Sequence, residues 1–317
     1  QIQGFVNGLY YDRNADAPSS VTAADLMRAG DLVRVGLAGS LRDFPLQTYD
    51  GRELRLEQIP SGGGQPAGYV TSPGEVVNYV ENHDNQTLYD LNAFKLPLGT
   101  SSTDRARVQI LAAALNAFSQ GITYWHAGFE LLRSKSMDRN SFDSGDWFNR
   151  LDWTGGDNFF GTGLPPARDN ASSWPLMRPR LADARLKPSA ADIDWTRTAF
   201  NDLMRIRSSS TLFRLRSAAD VHERLRFLNT GPEQVPEVIA AHLQGDGYPG
   251  AGFREILYLV NVDLAPRSLA FDSERGKRYV LHPVHREPGA ADRRAAENAH
   301  YDPLTGRFTV PARTAVV

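Results

Sequence analysis

The sequence contains no cysteine. Disulfides, thiolate metal sites and a cysteine nucleophile are therefore excluded, while the compartment stays open. No stretch approaches the roughly 18 consecutive apolar residues of a membrane span. Neither sign of charge is in excess: 35 Lys and Arg face 37 Asp and Glu, a net charge of −2. That balance gives no electrostatic reason to expect nucleic acid or an anionic membrane as partner. An initiator Met is also missing, and Gln1-Ile2-Gln3-Gly4-Phe5 has neither the basic nor the apolar region of a signal peptide. The chain ends in the strand-like stretches Phe308-Thr309-Val310 and Ala315-Val316-Val317. Both ends are thus expected to be cut points in something processed or longer. What remains is ordinary globular material: 317 residues, 41% hydrophobic and 23% charged, enough for one large domain or a large one with a small one.

Residues 1–22 read as loop. From Thr22, a suitable N-cap, Leu26, Leu32, Val33 and Leu37 keep helical spacing to residue 38, with Gly30-Asp31 expected to split the segment into two short helices. Residues 40–73 look irregular, around Ser61-Gly62-Gly63-Gly64, and a strand is expected over 75–81. Ser102 or Thr103 then caps a helix carrying Val108, Leu111, Ala112, Leu115 and Phe118 on one face. Gly121 should close it before a second strand, Ile122-Thr123-Tyr124-Trp125. Strand, helix, strand at this spacing is a βαβ unit, which implies parallel pairing.

Residues 126–193 form a long segment dense in Trp, Arg, Asp, Asn, Ser and Gly. Such loops in compact domains are functional or disordered, and the aromatics between Phe142 and Phe160 argue against disorder. A helix capped by Asp194 runs to Ile206. Beyond about residue 212 the texture becomes short strands at 224–228, 235–243, 255–262, 278–284 and 307–310, separated by turn signals, which reads as an antiparallel β-sandwich. The domain boundary is placed there: 1–212 and 213–317.

Chemistry concentrates where the first strand ends. Val76-Val77-Asn78-Tyr79-Val80 is an apolar run that delivers Glu81-Asn82-His83-Asp84-Asn85, as buried parallel strands do at their C-terminal tips. A His-Asp pair can equally be a structural hydrogen-bonding group. The long loop shifts the balance, because aromatic faces with Asp, Asn and Arg suit a neutral, hydroxyl-rich ligand.

The wording of these stretches is specific. Asn78-Tyr79-Val80-Glu81-Asn82-His83-Asp84-Asn85-Gln86-Thr87-Leu88-Tyr89-Asp90 resembles the fourth conserved region of the α-amylase superfamily, in the form found in pullulanases and limit dextrinases. Residues 130–153, beginning Glu130-Leu131-Leu132-Arg133-Ser134-Lys135-Ser136-Met137-Asp138-Arg139-Asn140, are similar to the loop after the last barrel strand of those debranching enzymes. Ser210-Thr211-Leu212-Phe213-Arg214-Leu215 and Asn229-Thr230-Gly231-Pro232 resemble their β-sandwich, so the likeness covers essentially the whole chain.

The resemblance implies an α/β plus all-β architecture: the last third of a (β/α)₈ TIM barrel followed by a C-terminal antiparallel β-sandwich. It implies hydrolysis of α-1,6 branch points in pullulan, starch and glycogen dextrins by a retaining mechanism. Asp84 would be the transition-state stabiliser, with His83, Asn85, Asp138 and Arg139 as substrate contacts. Asp138 and Arg139 could instead brace their loop, and Trp147, Phe148 and Trp153 are expected to be loop core rather than sugar platforms. No cofactor is required; the family often carries structural Ca²⁺, although the Asp and Asn residues here lack a regular Ca²⁺-loop spacing. The partner is an α-glucan oligosaccharide or polysaccharide, and the upstream part of the same polypeptide would be needed to complete the barrel.

A retaining glycosidase needs a carboxylate nucleophile and a carboxylic acid about 5–5.5 Å apart. In this family they sit upstream of the His-Asp strand, in Gly-x-Arg-x-Asp and a separate Glu, and residues 1–75 contain neither motif. Gly252-Phe253-Arg254-Glu255 imitates the first, but lies in sandwich texture with its carboxylate one residue early. Glu130 is read as structural. The chain alone is therefore expected to be inactive. Two other readings stand beside this one: a non-catalytic glucan-binding module, and an isoamylase-like or α-1,4-acting relative.

Overall fold

In the computed structural model, which describes residues 2–317, the first regular element is helix α1 (Ala23–Leu37). Gln1, taken above with the opening loop, lies outside the described residues. Thr22 caps α1 in a reciprocal box with Asp25. The helix is single, contrary to the expected split. Gly30 is buried, where a Cβ would meet Phe5, Arg34 and Ile239, and Asp31 pairs with Arg34 one turn on, so both residues serve packing rather than a break. Residues 40–73 also hold more order than their composition suggested. They contain a hairpin of β1 (Pro45–Gln47) and β2 (Glu53–Arg55), and a parallel bridge from Leu41 to Val70.

The βαβ unit is present in shortened form. Strands β3 (Val77–Asn78) and β4 (Ile122–Thr123) pair in parallel, Val77 opposite Ile122 and Asn78 opposite Thr123. Between them lie α2 (Leu88–Lys95) and α3 (Ser102–Phe118). The cap of α3 is Ser101, one residue ahead of expectation, and the helix ends at Phe118 with Ser119 as its C-cap. Gly121 turns the chain just afterwards: its φ is +95°, and a Cβ there would meet Val76 and the Pro73 carbonyl at 2.7 and 2.9 Å. Val76 faces inward, but Val77, Tyr79, Ile122 and Tyr124 are 50%, 53%, 50% and 37% exposed. Among the described residues these are the only strands paired in parallel, so the barrel expectation meets a two-stranded parallel sheet.

The long loop carries the short helices α4 (Asp146–Asn149), α5 (Ala167–Asn170) and α6 (Trp174–Leu181) before α7 (Ala190–Ser208), which packs along α3. Ser189, in a box with Asp192, caps α7 in place of the expected Asp194. After α8 (Ala218–Arg224) come β5 (Leu225–Phe227), β6 (Val238–Gln244), β7 (Glu255–Asn261), β8 (Arg267–Ala270), α9 (Pro283–Arg286), α10 (Arg293–Asn298), β9 (His300–Asp302), β10 (Arg307–Val310) and β11 (Thr314–Val316). They form two antiparallel sheets, ordered β11-β7-β6-β5 and β8-β10-β9, whose facing side chains Leu257, Leu259, Phe308, Val310 and Val316 share an apolar cluster. The strand expected over 278–284 is absent. Tyr279 and Lys277 are drawn to Glu255 and Glu274, and Pro283, with no N–H for a ladder, opens α9.

One hydrophobic core runs through residues on both sides of position 212. Phe118 of α3 stacks on Phe213 at 5.3 Å between ring centres and meets Tyr258 of β7 at 5.0 Å. Arg34 of α1, fully buried, donates to Asp31 Oδ1, the Asn229 carbonyl and Gln234 Oε1. No helix among the described residues is long and apolar enough to cross a membrane.

Candidate active site

Strand β3 leads into an arch over residues 81–88 whose two feet are buried and whose crown is exposed. At one foot Glu81 is 6% exposed; its Oε2 accepts the amide of Leu88, the other foot, at 2.5 Å. Thr87 accepts the Asp90 amide and so starts α2 immediately after. At the crown, Asn82 Oδ1 accepts the Asp84 amide at 2.8 Å, an Asx turn that fixes the backbone locally. His83, Asp84 and Asn85 project into the open, with the His83 and Asp84 side chains 77% and 67% exposed and 3.7 Å apart. Asn85 has φ +59°, a conformation that Asn tolerates better than most residues.

The second stretch wraps around this arch. Ser134 Oγ and the Lys135 amide donate to the two oxygens of Asp90, at 2.5 and 2.7 Å. Asp90 is fully buried, and burial pushes its carboxyl up to about 6, against the bonds from Ser134 and Lys135. The Lys135 ammonium donates to the His83 carbonyl at 2.7 Å; burial, and then the charge of Arg133, lower its pKa. Leu132, Ser136 and Met137 all have positive φ, so this segment is bent tightly around its partners. The two motifs quoted from the sequence are thus brought together, chiefly through Asp90 and Lys135.

The remaining predicted contacts behave differently from one another. Arg139 is exposed. Asp138 is fully buried: its Oδ1 accepts from the Asn140 amide and from Asn170 Nδ2, both at 2.9 Å, while Oδ2 has no partner. Asn170 in turn accepts the Arg139 amide. Trp147 and Trp153, expected in the loop core, are 56% and 63% exposed, and Phe148 is half-buried. The correction has a local cause. The Trp147 indole finds its acceptor in the Thr162 carbonyl and one face is covered by the Arg150 guanidinium at 3.9 Å, so its polar edge and part of its surface are satisfied without burial.

Sequence reasoning gave no role to Glu81, His126, Arg133 or Lys135. His126, in the segment that follows β4 and 7% exposed, places Nδ1 2.9 Å from Glu81 Oε1, and Arg133 Nη1 lies 3.3 Å from its Nε2. Glu81 and Lys135 stood inside quoted motifs, but their partners lie 45 and 52 residues away, beyond any local pattern.

A cavity of about 780 Å³ lies elsewhere, against Leu257, Tyr279, Leu281, Tyr301, Phe308 and Val316 of the C-terminal sheets. At its edge His242, Glu255 and Glu274 hold ligand atoms within 4.8 Å of one another. Lys277 Nζ already lies 2.9 and 2.8 Å from the two carboxylates. Burial opposes ionisation of Glu255, but bonds from Lys277, His242 and Tyr279 prevail and bring it down to about 2. With an ammonium in the cation position and few oxygen donors, this group does not fit Ca²⁺. Glu255 opens β7 within this network, in keeping with its reading as an imitation of a nucleophile.

Chemically, the crown offers one exposed carboxylate beside an imidazole on a braced backbone. That pair can hydrogen-bond sugar hydroxyls and stabilise positive charge developing nearby. Comparison with known proteins agrees with the wording of the motifs. Residues 155–317 match the family model described as alpha-1,6-glucosidases, pullulanase-type, C-terminal. The chain is 40% identical to pullulanase 1, chloroplastic, of Arabidopsis thaliana, over 99% of its own length and 33% of that protein. It is 32% identical to the pullulanase of Klebsiella pneumoniae, over 94% of the chain and 27% of the relative. Ligand-free PulA from Klebsiella pneumoniae superimposes with a TM-score of 0.90 at 33% identity, covering 99% of this chain and 29% of that one. The maltotriose complex of the same enzyme gives 0.90 with 33% of its chain covered. The chain thus spans about a third of the length of these relatives. With half of its residues matching the family model and nearly all of them superimposing on a family structure, the chain belongs to the pullulanase-type α-1,6-glucosidases, as part of their C-terminal region.

Proposed function

We propose that the chain supplies one wall of the active site of a debranching hydrolase that cleaves α-1,6 branch points of pullulan, starch and glycogen dextrins. Residues 1–212 contribute the last part of a (β/α)₈ barrel and residues 213–317 a β-sandwich domain. Asp84 stabilises the oxocarbenium-like transition state of a double displacement. His83 hydrogen-bonds the sugar being cleaved, and Asn85 contacts the other side of the scissile bond. Arg139 reaches the next sugar on the non-reducing side, and Asp138, buried next to it, braces the loop through Asn140 and Asn170.

The observation that carries this reading is the unfinished sheet around the crown. Val77, Tyr79, Ile122 and Tyr124 stand exposed on a parallel pair that has no third strand among the described residues. A parallel sheet is normally covered on both faces, so this one suits completion by further strands, which would bring the nucleophile and acid to face Asp84. The isolated 317 residues should then release no maltotriose from pullulan, whereas a polypeptide extended upstream to include the two missing carboxylate motifs should release it. Maltotriose release by the isolated chain would overturn the reading.

The exposure of Phe142, Trp147 and Trp153 favours a second, non-catalytic reading, a glucan-binding surface. It requires that the chain's affinity for soluble starch survive Asp84→Ala and fall in a Trp147→Ala/Trp153→Ala double variant.

A further inference from the structure

We infer that Glu81, fixed by His126, is a positioning residue that sets the attitude of the His83–Asp84 crown. The inference rests on the catalytic reading of Asp84 above. The arch over residues 81–88 has little else to hold it. Its exposed crown makes one local bond, from the Asp84 amide to Asn82, and one long-range bond, from Lys135 to the His83 carbonyl. Its base is closed by a single side chain: Glu81 Oε2 accepts the Leu88 amide seven residues on, so the carboxylate bridges the two feet.

The chemistry of the neighbours requires a carboxylate there. His126 Nε2 faces Arg133 Nη1, which can only donate, so Nε2 is the acceptor and Nδ1 carries the proton. Nδ1–H therefore donates to Glu81 Oε1 at 2.9 Å. Each oxygen of Glu81 thus faces a donor, one from the backbone of its own arch and one from the segment that follows β4. A carboxylate satisfies both with two acceptors. A glutamine of the same shape cannot: whichever way its amide turns, its NH₂ points at Leu88 N–H or at His126 Nδ1–H. Moving the imidazole proton to Nε2 would only transfer the conflict to Arg133. Because the Glu81 and His126 side chains are 2% and 8% exposed, water has little room to relieve it. The strain falls on the foot of the arch, three residues from Asp84, while the core beneath is untouched.

The test is Glu81→Gln in the complete enzyme carrying this chain, alone and combined with Asp84→Asn, assayed on pullulan with the unfolding midpoint measured in parallel. A misplacement of order 1 Å at a catalytic group costs up to about 100-fold. Glu81→Gln should lower kcat about 10- to 100-fold, change KM less than about threefold and leave the fold intact. In the Asp84→Asn background, where the group being positioned is already disabled, it should cost less than about threefold more. If Glu81→Gln lowers the midpoint enough to obscure the result, His126→Ala is read in the same way, with a smaller loss of kcat and the same non-additivity. A kcat within threefold of the parent, or losses that multiply in the double variant, overturns the inference. Near-parental turnover in Asp84→Asn alone overturns the catalytic reading itself, and this inference with it.

Discussion

Arg34 allows a sharp test of how the molecule is held together. Its side chain is 0% exposed and that of its partner Asp31 is 3%. One guanidinium edge donates to Asp31 Oδ1 at 2.9 Å; Nη2 donates to the Asn229 carbonyl at 2.5 Å and to Gln234 Oε1 at 2.9 Å. The group is not perfectly served, since Nε has no partner, and burial draws its pKa down to about 10 despite the pull of Asp31. Arg34→Met would remove all three bonds. It would leave the Asp31 carboxylate buried with only the Tyr49 amide, at 2.8 Å, as donor. Breaking a buried pair from one side costs about 3–5 kcal/mol, because an uncompensated charge remains. Asp31→Leu should cost a similar amount. The double variant removes both charges, leaving only neutral acceptors on Asn229 and Gln234, and should fall short of additivity by about 2–3 kcal/mol. Equilibrium urea unfolding followed by tryptophan fluorescence measures all four proteins. Because Arg34 joins α1 to residues 229–234 within a core that crosses position 212, every variant should unfold in one transition. An Arg34→Met penalty below about 1 kcal/mol, full additivity, or separate transitions for the two halves would refute the reasoning.

Three further outcomes can be checked directly. Asp84→Asn in the complete enzyme should reduce turnover by orders of magnitude with an unchanged unfolding midpoint, since the side chain is exposed and the His83 ring nitrogen is 3.7 Å away; near-normal turnover contradicts its role. Burial raises Asp90 to about 6 from 3.8, so its contribution to stability is fully present below pH 3.8 and lost as pH rises through 6. Relative to Asp90→Asn, the parent chain should lose about 3 kcal/mol across that window in denaturant titrations, and parallel pH curves would contradict this. Burial, with the nearby His282, lowers His285 to about 4 from 6.5, so its contribution is present above pH 6.5 and lost as pH falls through 4. His285→Gln, which keeps an acceptor for the Val317 amide, should remove about 3 kcal/mol of acid destabilisation, and an unchanged acid limb would count against it.

The parts of the fold legible in the sequence were those governed by local pattern. Helix α3 and the turn at Gly121 followed from apolar spacing and a glycine, and the β3 tip from an apolar run ending in polar residues. The sheet β11-β7-β6-β5 followed from strand-like stretches between turn signals, whereas of the second sheet only β10 did. The misreadings arose where a distant partner overruled a local preference. Gly30-Asp31 looks like a helix break until Arg34 and Ile239 are known to lie against it. Residues 278–284 carry strand-forming side chains, but the pull of Glu255 and Glu274 on Lys277 and Tyr279 decides their path. At the candidate site the exposed groups could be named from the motif, whereas Glu81, His126 and Lys135 could not, because their meaning is a contact across 45 or more residues. Trp147 and Trp153 failed the usual expectation that large aromatics seek cover, since Arg150 and the Thr162 carbonyl satisfy Trp147 at the surface.

The bare parallel pair also governs how this chain behaves in a test tube. Among the described residues no further strand pairs with the outer margins of β3 and β4, which lie beside four apolar side chains at 37–53% exposure. Such a margin is a template for any extended segment of suitable register. At low concentration it meets only water; at high concentration it meets its own copies. The isolated chain should therefore be a colloidally fragile protein, whose association number climbs with concentration and is suppressed by a strand that pairs with that margin.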